Sequence, residues 1–270
     1  MLYTLENDMA VVKIDTHAAE IASFKRKDKD IEYMWNGNPK FWANRNPILF
    51  PHVSATSNKI LNFKGEDYKV NNHGFARNSE FDVVEVCDDH IILRLSDNEE
   101  TLSQYPYRFD LSVKYSLDGN RLYIDYQIDN KEDGPLYFGF GQHPAFNCPL
   151  DPGKKFDDYY IEFDREDVEG CRLNLSYELF EKYPTYRIDN PASRTFTLSD
   201  GDNKVVMNVD DKYRIFAVWT PMAPFVCLEP WVNAINPKDL NTPFEQRGVI
   251  CLDKEENYKI AYSIEIVYQL

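Results

Sequence analysis

Four side chains in three distant segments could together carry acid–base chemistry. Segment 138–150 reads FGFGQHPAFNCPL and sets His143 after two glycines and directly before Pro144. Segment 72–77, NHGFAR, holds His73 and Arg77, and segment 227–236, CLEPWVNAIN, holds Glu229. Glu229 is the one carboxylate in the otherwise apolar run 225–231. If that run is a strand, Phe225, Cys227, Glu229 and Trp231 share one face. A carboxylate between Cys227 and Trp231 is then partly desolvated, which raises its pKa toward the range useful to a general base. Two histidines, an arginine and such a carboxylate are what proton transfer at a sugar hydroxyl requires.

Taken singly, each has an ordinary alternative. His143 can be a loop histidine bonded to a backbone carbonyl, and His73 a turn residue before Gly74. Arg77 can pair with Glu80, Arg45 can be solvated, and Glu229 can be an exposed strand-end acid. Trp219 and Trp231 could stack on a sugar ring or simply fill the core. None of these signals is specific alone. Other chemistries lack their signatures. No H-E-x-x-H or C-x-x-C spacing occurs, so no metal is expected. There is no nucleophile elbow, P-loop or full G-x-G-x-x-G, so no cofactor is expected. The acidic pairs Asp88-Asp89, Asp157-Asp158 and Asp210-Asp211 read as solvated turns.

The elements that must position these residues read as strands. In 108–130, Phe109, Leu111, Val113, Tyr115 and Leu117 alternate with polar residues, Asp118-Gly119-Asn120 turns the chain, and Leu122, Ile124, Tyr126 and Ile128 alternate on the return. Period two with an Asp-Gly turn marks a hairpin with one buried face. Further hairpins are expected at 58–70, turning at Lys64-Gly65-Glu66, and at 81–96, joined across 87–90. Strands are also expected at 11–14, 20–25, 159–163, 170–175, 195–198, 204–209, 215–220, 225–229 and 259–268. The two prolines of 47–53 point to an edge strand or a buried loop. Short helical pieces are expected at 176–182, with Ser176 as N-cap, and at 242–248. No linker or low-complexity segment interrupts the pattern. The expected fold is all-β, a single domain over 1–270 built as a sandwich of large antiparallel sheets.

Composition narrows the partners. A net charge of −15 over 270 residues repels phosphate backbones and anionic membrane surfaces, which argues against nucleic acid and membrane partners. No run approaches the ~18 apolar residues of a membrane span, and the first residues lack the pattern of a secretory signal. Five scattered cysteines, an odd number, read as reduced thiols in a cytoplasmic protein. The 18 tyrosines and 17 phenylalanines suit half-wet sheet faces or a sugar site.

Together the segments resemble the aldose 1-epimerase (galactose mutarotase) family in its shorter bacterial branch. The resemblance runs over nearly the whole chain: Ala18-Ala19-Glu20-Ile21, Glu32-Tyr33-Met34-Trp35, the P-x-L-F-P of 47–51, the HGFAR of 73–77, Tyr105-Pro106-Tyr107, the G-x-HPAF of 141–146 and Leu228-Glu229-Pro230-Trp231. The resemblance implies a β-supersandwich and cofactor-free interconversion of the α and β anomers of an aldose. On the matching motifs, Glu229 falls on the catalytic base, His143 on the catalytic acid and His73 on a sugar-binding histidine. Arg77 falls in the same motif, where relatives acting on hexose 6-phosphates contact the phosphate. Arg45 is a weaker match to a substrate-binding arginine, and Trp231 is a candidate sugar contact.

Three positions depart from the pattern. Val53-Ser54-Ala55 stands where many relatives read V-G-R, Ala18 where glycine is usual, and Asn236 where longer members carry an acid. The family's substrate-binding aspartate has no evident counterpart. The expected function is therefore hexose mutarotation by a monomer or homodimer. Its rivals are a hexose-6-phosphate 1-epimerase, with Arg77 and Arg45 on the phosphate, and a carbohydrate-binding protein without catalysis.

Overall fold

A computed structural model of the chain describes residues 1–268. The largest sheet has nine strands in the order Arg172–Asn174, Tyr160–Phe163, Thr195–Ser199, Asn203–Val209, Asn257–Tyr268, Arg121–Asn130, Phe109–Asp118, His90–Ser96 and Asp82–Val86. Every neighbouring pair is antiparallel. The hairpin expected at 108–130 forms its sixth and seventh strands. Leu111, Val113, Tyr115 and Leu117 and then Leu122, Ile124, Tyr126 and Ile128 are buried, while the residues between them are half-buried or exposed. The alternation of the sequence is thus the alternation of the two faces.

A second sheet carries strand Phe225–Trp231 at its middle. Ile215–Trp219 pairs along one edge, and Gly141–Gln142 and Ala145–Asn147 pair along the other. Thr185–Asp189 and Ile48–Leu49 complete it. All seven residues of Phe225–Trp231 are buried, so both faces are covered. Val226 and Leu228 enter the main core together with Phe216 and Val218 of the neighbouring strand. Phe225 and Cys227 face the other way, into a cluster with Trp35, Ala145 and Ala223. Trp231 joins Leu49, Val53, Ile215 and Ala217 on that same outward side. One face thus anchors the strand on the core, and the other is free to hold a site.

The two sheets are tied by a buried hydrogen bond, in which Tyr126 Oη donates to Gln142 Oε1 at 2.8 Å. Tyr126 lies on the 108–130 hairpin and Gln142 directly precedes His143. A third sheet of Leu2–Glu6, Ala10–Asp15 and Ile21–Arg26 packs at the chain start. The helix Tyr177–Lys182 forms as expected, and the Ser176 hydroxyl accepts the Leu179 N–H at 3.1 Å. The helix expected within 242–248 is one 3-10 turn, Phe244–Gln246. The segment 47–53 is a buried two-residue strand, Ile48–Leu49, followed by loop. Strands Ala145–Asn147, of three residues, and Thr185–Asp189, which alternates only between exposed and half-buried residues, exceed the sequence expectation.

Candidate active site

His143 and Glu229 meet because of strand register. Gly141 pairs with Trp231 and Ala145 with Cys227. Continuing that alignment sets His143 opposite Glu229. Directly opposed residues on antiparallel strands hold their Cβ atoms about 4.5–5.5 Å apart. The result is His143 Nε2 at 3.1 Å from Glu229 Oε2. On its other side Glu229 is paired with Ala217, whose small side chain leaves room above the carboxylate. Gly141 is required by the same packing: a Cβ there would lie 2.7 Å from the Trp231 ring.

Both groups are withdrawn from water, Glu229 at 1% and His143 at 7% exposure. Burial raises the Glu229 pKa well above the usual carboxylate range, against the opposing pull of the Trp231 indole and the Arg77 guanidinium. Burial lowers the His143 pKa well below the usual histidine range, and His73 and Arg77 push it the same way. The 3.1 Å contact is close but not aligned as a hydrogen bond, and neither Glu229 oxygen has a partner among the described residues. His143 Nδ1 is likewise buried and unpartnered. Buried polar atoms without a protein partner that line a pocket are free to bond a ligand. Catalytic contacts are often misaligned before substrate arrives.

His73 enters from a strained loop. Its φ is 63° and that of Gly74 is 75°, both left-handed. Gly74 has no substitute, since a Cβ there would sit 2.1 Å from the Phe50 carbonyl oxygen. The loop is locked twice to Ser54: His73 N–H donates to Ser54 O at 3.0 Å, and Ser54 N–H donates to His73 Nδ1 at 3.2 Å. With Nδ1 accepting, the neutral ring carries its proton on Nε2, the donor left for a ligand. Burial first, then Arg77 and His52, push its pKa down to about 3, so it stays neutral. Ser54 itself holds φ 87°, a glycine-like backbone at the position where the sequence departs from V-G-R.

Arg77 follows on a 3-10 turn, Ala76–Asn78, and its Nη2 donates to Asn44 Oδ1 at 2.5 Å. Its pKa is lowered by burial, with Glu20 and Glu229 restoring part of the shift. A pocket of about 360 Å³ opens over these groups, lined by Trp42, Asn72, His73, Arg77, His143, Thr185, Trp219, Glu229 and Trp231. The Trp42 and Trp219 rings flank His143 with centroids at 4.9 and 5.4 Å, which explains its dryness.

Six residues singled out in the sequence thus line one pocket: Glu229, His143, His73, Arg77, Trp219 and Trp231. Arg45 does not. Its Nη1 lies 3.4 Å from Glu20 Oε2 and its Nε donates to Asn36 O, so it is tied into the wall outside the lining. Trp231 lines the pocket at only 6% exposure, whereas Trp42 and Trp219 are partly buried and present more ring surface. Trp42 and Thr185 were missed by sequence reasoning. A tryptophan inside the Asn-, Gly- and Pro-rich stretch 35–46 was the available signal, since large apolar residues in irregular segments need a reason to be there.

The chain is similar to known proteins over nearly its whole length. Protein LacX, chromosomal, of Lactococcus lactis subsp. lactis is 30% identical over 294 residues, taking in 96% of this chain and 95% of that protein. A galactose mutarotase-like protein from Lactobacillus casei superposes with a TM-score of 0.91 at 26% identity, covering 98% of this chain and all of that one. A galactose mutarotase related enzyme from Lactobacillus acidophilus gives 0.90 at 30% identity over the whole of both chains. The family model described as aldose 1-epimerase matches residues 1–265, and the chain belongs to that family.

Proposed function

We propose that this protein is an aldose 1-epimerase, interconverting the α and β anomers of a free hexose by acid–base catalysis through the open-chain aldehyde. The observation that carries the reading is the buried Glu229–His143 pair, 3.1 Å apart at the base of a pocket of monosaccharide size. About 360 Å³ lies at the small end of the ~300–1,000 Å³ typical of ligand pockets.

Glu229 takes the proton of the C1 hydroxyl while His143 gives one to the ring oxygen, and the C1–O5 bond breaks. The aldehyde turns about C1–C2, and closure on its other face returns both protons. The proton count of the site suits this cycle. Burial favours the neutral form of each partner, so the pair rests with one proton, on Glu229. The reactive arrangement holds the same single proton on His143 instead. The Arg77 charge favours the Glu229 carboxylate and opposes a protonated His143. His73 supplies a neutral N–H donor to a sugar oxygen, and Trp42 and Trp219 offer apolar faces for the ring. Each positioned acid or base contributes about 10²–10⁴-fold.

A phosphorylated hexose fits less well. Among the lining residues Arg77 is the only fixed cation, and Arg45, the second arginine that would grip a phosphate, is turned to Glu20. The deciding experiment follows anomer interconversion by polarimetry or NMR for galactose, glucose and their 6-phosphates. Acceleration of free sugars that disappears in Glu229→Gln is expected. Acceleration of the phosphates alone would move the substrate to that class, and sugar binding without acceleration would make the protein a carbohydrate binder.

A further inference from the structure

Far from this reading, and independent of it, the last hairpin of the nine-stranded sheet gathers a second set of reactive side chains. Strands Asp82–Val86 and His90–Ser96 are joined by Asp88-Asp89, and the Cys87 N–H donates to the His90 carbonyl at 2.8 Å. Cys87 and His90 therefore close the hairpin as an opposed pair, with side chains on one face. Glu85, two residues before Cys87, shares that face. The pairing slips by one residue between Val83 and Glu85, a bulge that re-aims the strand end.

We propose that Glu85, Cys87 and His90 form a binding site for Zn²⁺ or a divalent ion of like preference, with Asp89 orienting the histidine. Their donor atoms all lie within 4.8 Å of one another. Cys87 Sγ is 3.4 Å and His90 Nε2 3.5 Å from the same Glu85 oxygen, Oε1. A tetrahedral zinc with bonds of about 2.3 Å to sulfur and about 2.0–2.2 Å to nitrogen and oxygen separates its ligands by about 3.4–3.6 Å. The hairpin already holds two of the three spacings. The other His90 nitrogen, Nδ1, lies 2.8 Å from Asp89 Oδ1. A carboxylate on the far nitrogen fixes the tautomer that turns the Nε2 lone pair outward, the arrangement that metal-binding histidines use. A thiolate, an imidazole and a carboxylate select a borderline-soft ion over calcium or magnesium. Three protein ligands leave one coordination position open. On binding, the Cys87 thiol gives its proton to solvent and its sulfur to the metal.

Among the described residues one other cluster has donors this close: His143, Cys227 and Glu229, at the pocket. The test must tell the two apart. Tag-free protein is titrated with Co²⁺, whose thiolate charge-transfer band reports a bound cysteine, and with Zn²⁺ against a chromophoric chelator. One equivalent should bind with that band, and Zn²⁺ should displace the cobalt. Cys87→Ser should abolish the band, and Asp89→Asn should weaken binding about 10–100-fold. Cys251→Ser, at another exposed thiol, should change neither. Far-UV circular dichroism and melting of each variant check that the hairpin change leaves the fold intact. Absence of saturable binding, or a thiolate band that survives in Cys87→Ser, overturns the proposal. So does binding that survives Cys87→Ser and inhibits anomer interconversion, which would place the ion on the pocket cluster.

Discussion

Replacing Glu229 by glutamine should damage activity and help stability at once. Glu229 is 1% exposed and neither oxygen has a hydrogen-bond partner among the described residues. A glutamine there is unpaired too, so the difference lies in ionisation alone: at neutral pH the unfolded carboxyl is charged and the folded one is held back from charging, at about 1.4 kcal/mol for each unit by which the pKa is raised. For a chain of this size each kcal/mol moves Tm by roughly 2–4 °C, so Glu229→Gln should melt several degrees higher at neutral pH. The gain should depend on pH with a definite sign. The folded pKa is raised above 4.5. The unfolded chain therefore releases this proton first, and the wild type loses stability as pH rises from about 4.5 toward the folded value. The variant lacks that loss. The difference in Tm should be largest at neutral pH and shrink as pH falls to about 4.5. Over the same window polarimetry should show the catalysed rate reduced about 10²–10⁴-fold. A variant that keeps more than a tenth of the rate, or that melts below the wild type at neutral pH, refutes the reasoning.

Other consequences follow from the same geometry. Gly74→Ala should lose both stability and activity, because its Cβ would meet the Phe50 carbonyl at 2.1 Å and a left-handed alanine costs ~1–3 kcal/mol besides; a wild-type melting curve would contradict this. Ser54→Gly should raise stability by about 1 kcal/mol, since Ser54 sits at φ 87° and only its backbone is used to hold His73; chemical denaturation measures it. The kcat/KM profile should show no inflection from His143 at pH 6.5, because burial carries its pKa well below that value. An inflection at the ordinary histidine value would mean that His143 titrates as if exposed. Tyr126→Phe removes the buried 2.8 Å bond to Gln142 and leaves that amide unpaired, for a loss of about 1–3 kcal/mol by denaturation.

Much of the fold is local chemistry and was readable in the chain. The period of two from Phe109 to Ile128 needs only one wet and one dry face, and Asp118-Gly119 supplies the turn whatever surrounds it. Ser176 caps its helix for a reason contained in four residues. The acid in FVCLEPW was legible for the same reason: alternation alone puts Glu229 on the face opposite Val226 and Leu228, as the structure shows.

The tertiary structure decided what register and packing decide. That His143 faces Glu229 depends on how Gly141 and Ala145 align with Trp231 and Cys227, a pairing across more than eighty residues that no local pattern encodes. Trp42 dries His143 only because an irregular stretch folds over the pocket. Arg45 and Arg77 look alike as isolated charges, but Glu20 takes one and the pocket takes the other. The Glu85–Cys87–His90 cluster matches no familiar ligand spacing, and the bulge beside Glu85 and a two-residue turn assemble it. Residue type and period determine which face a side chain occupies. Which distant face it meets is set by long-range pairing, and the pKa values of Glu229 and His143 exist only after that meeting removes the water.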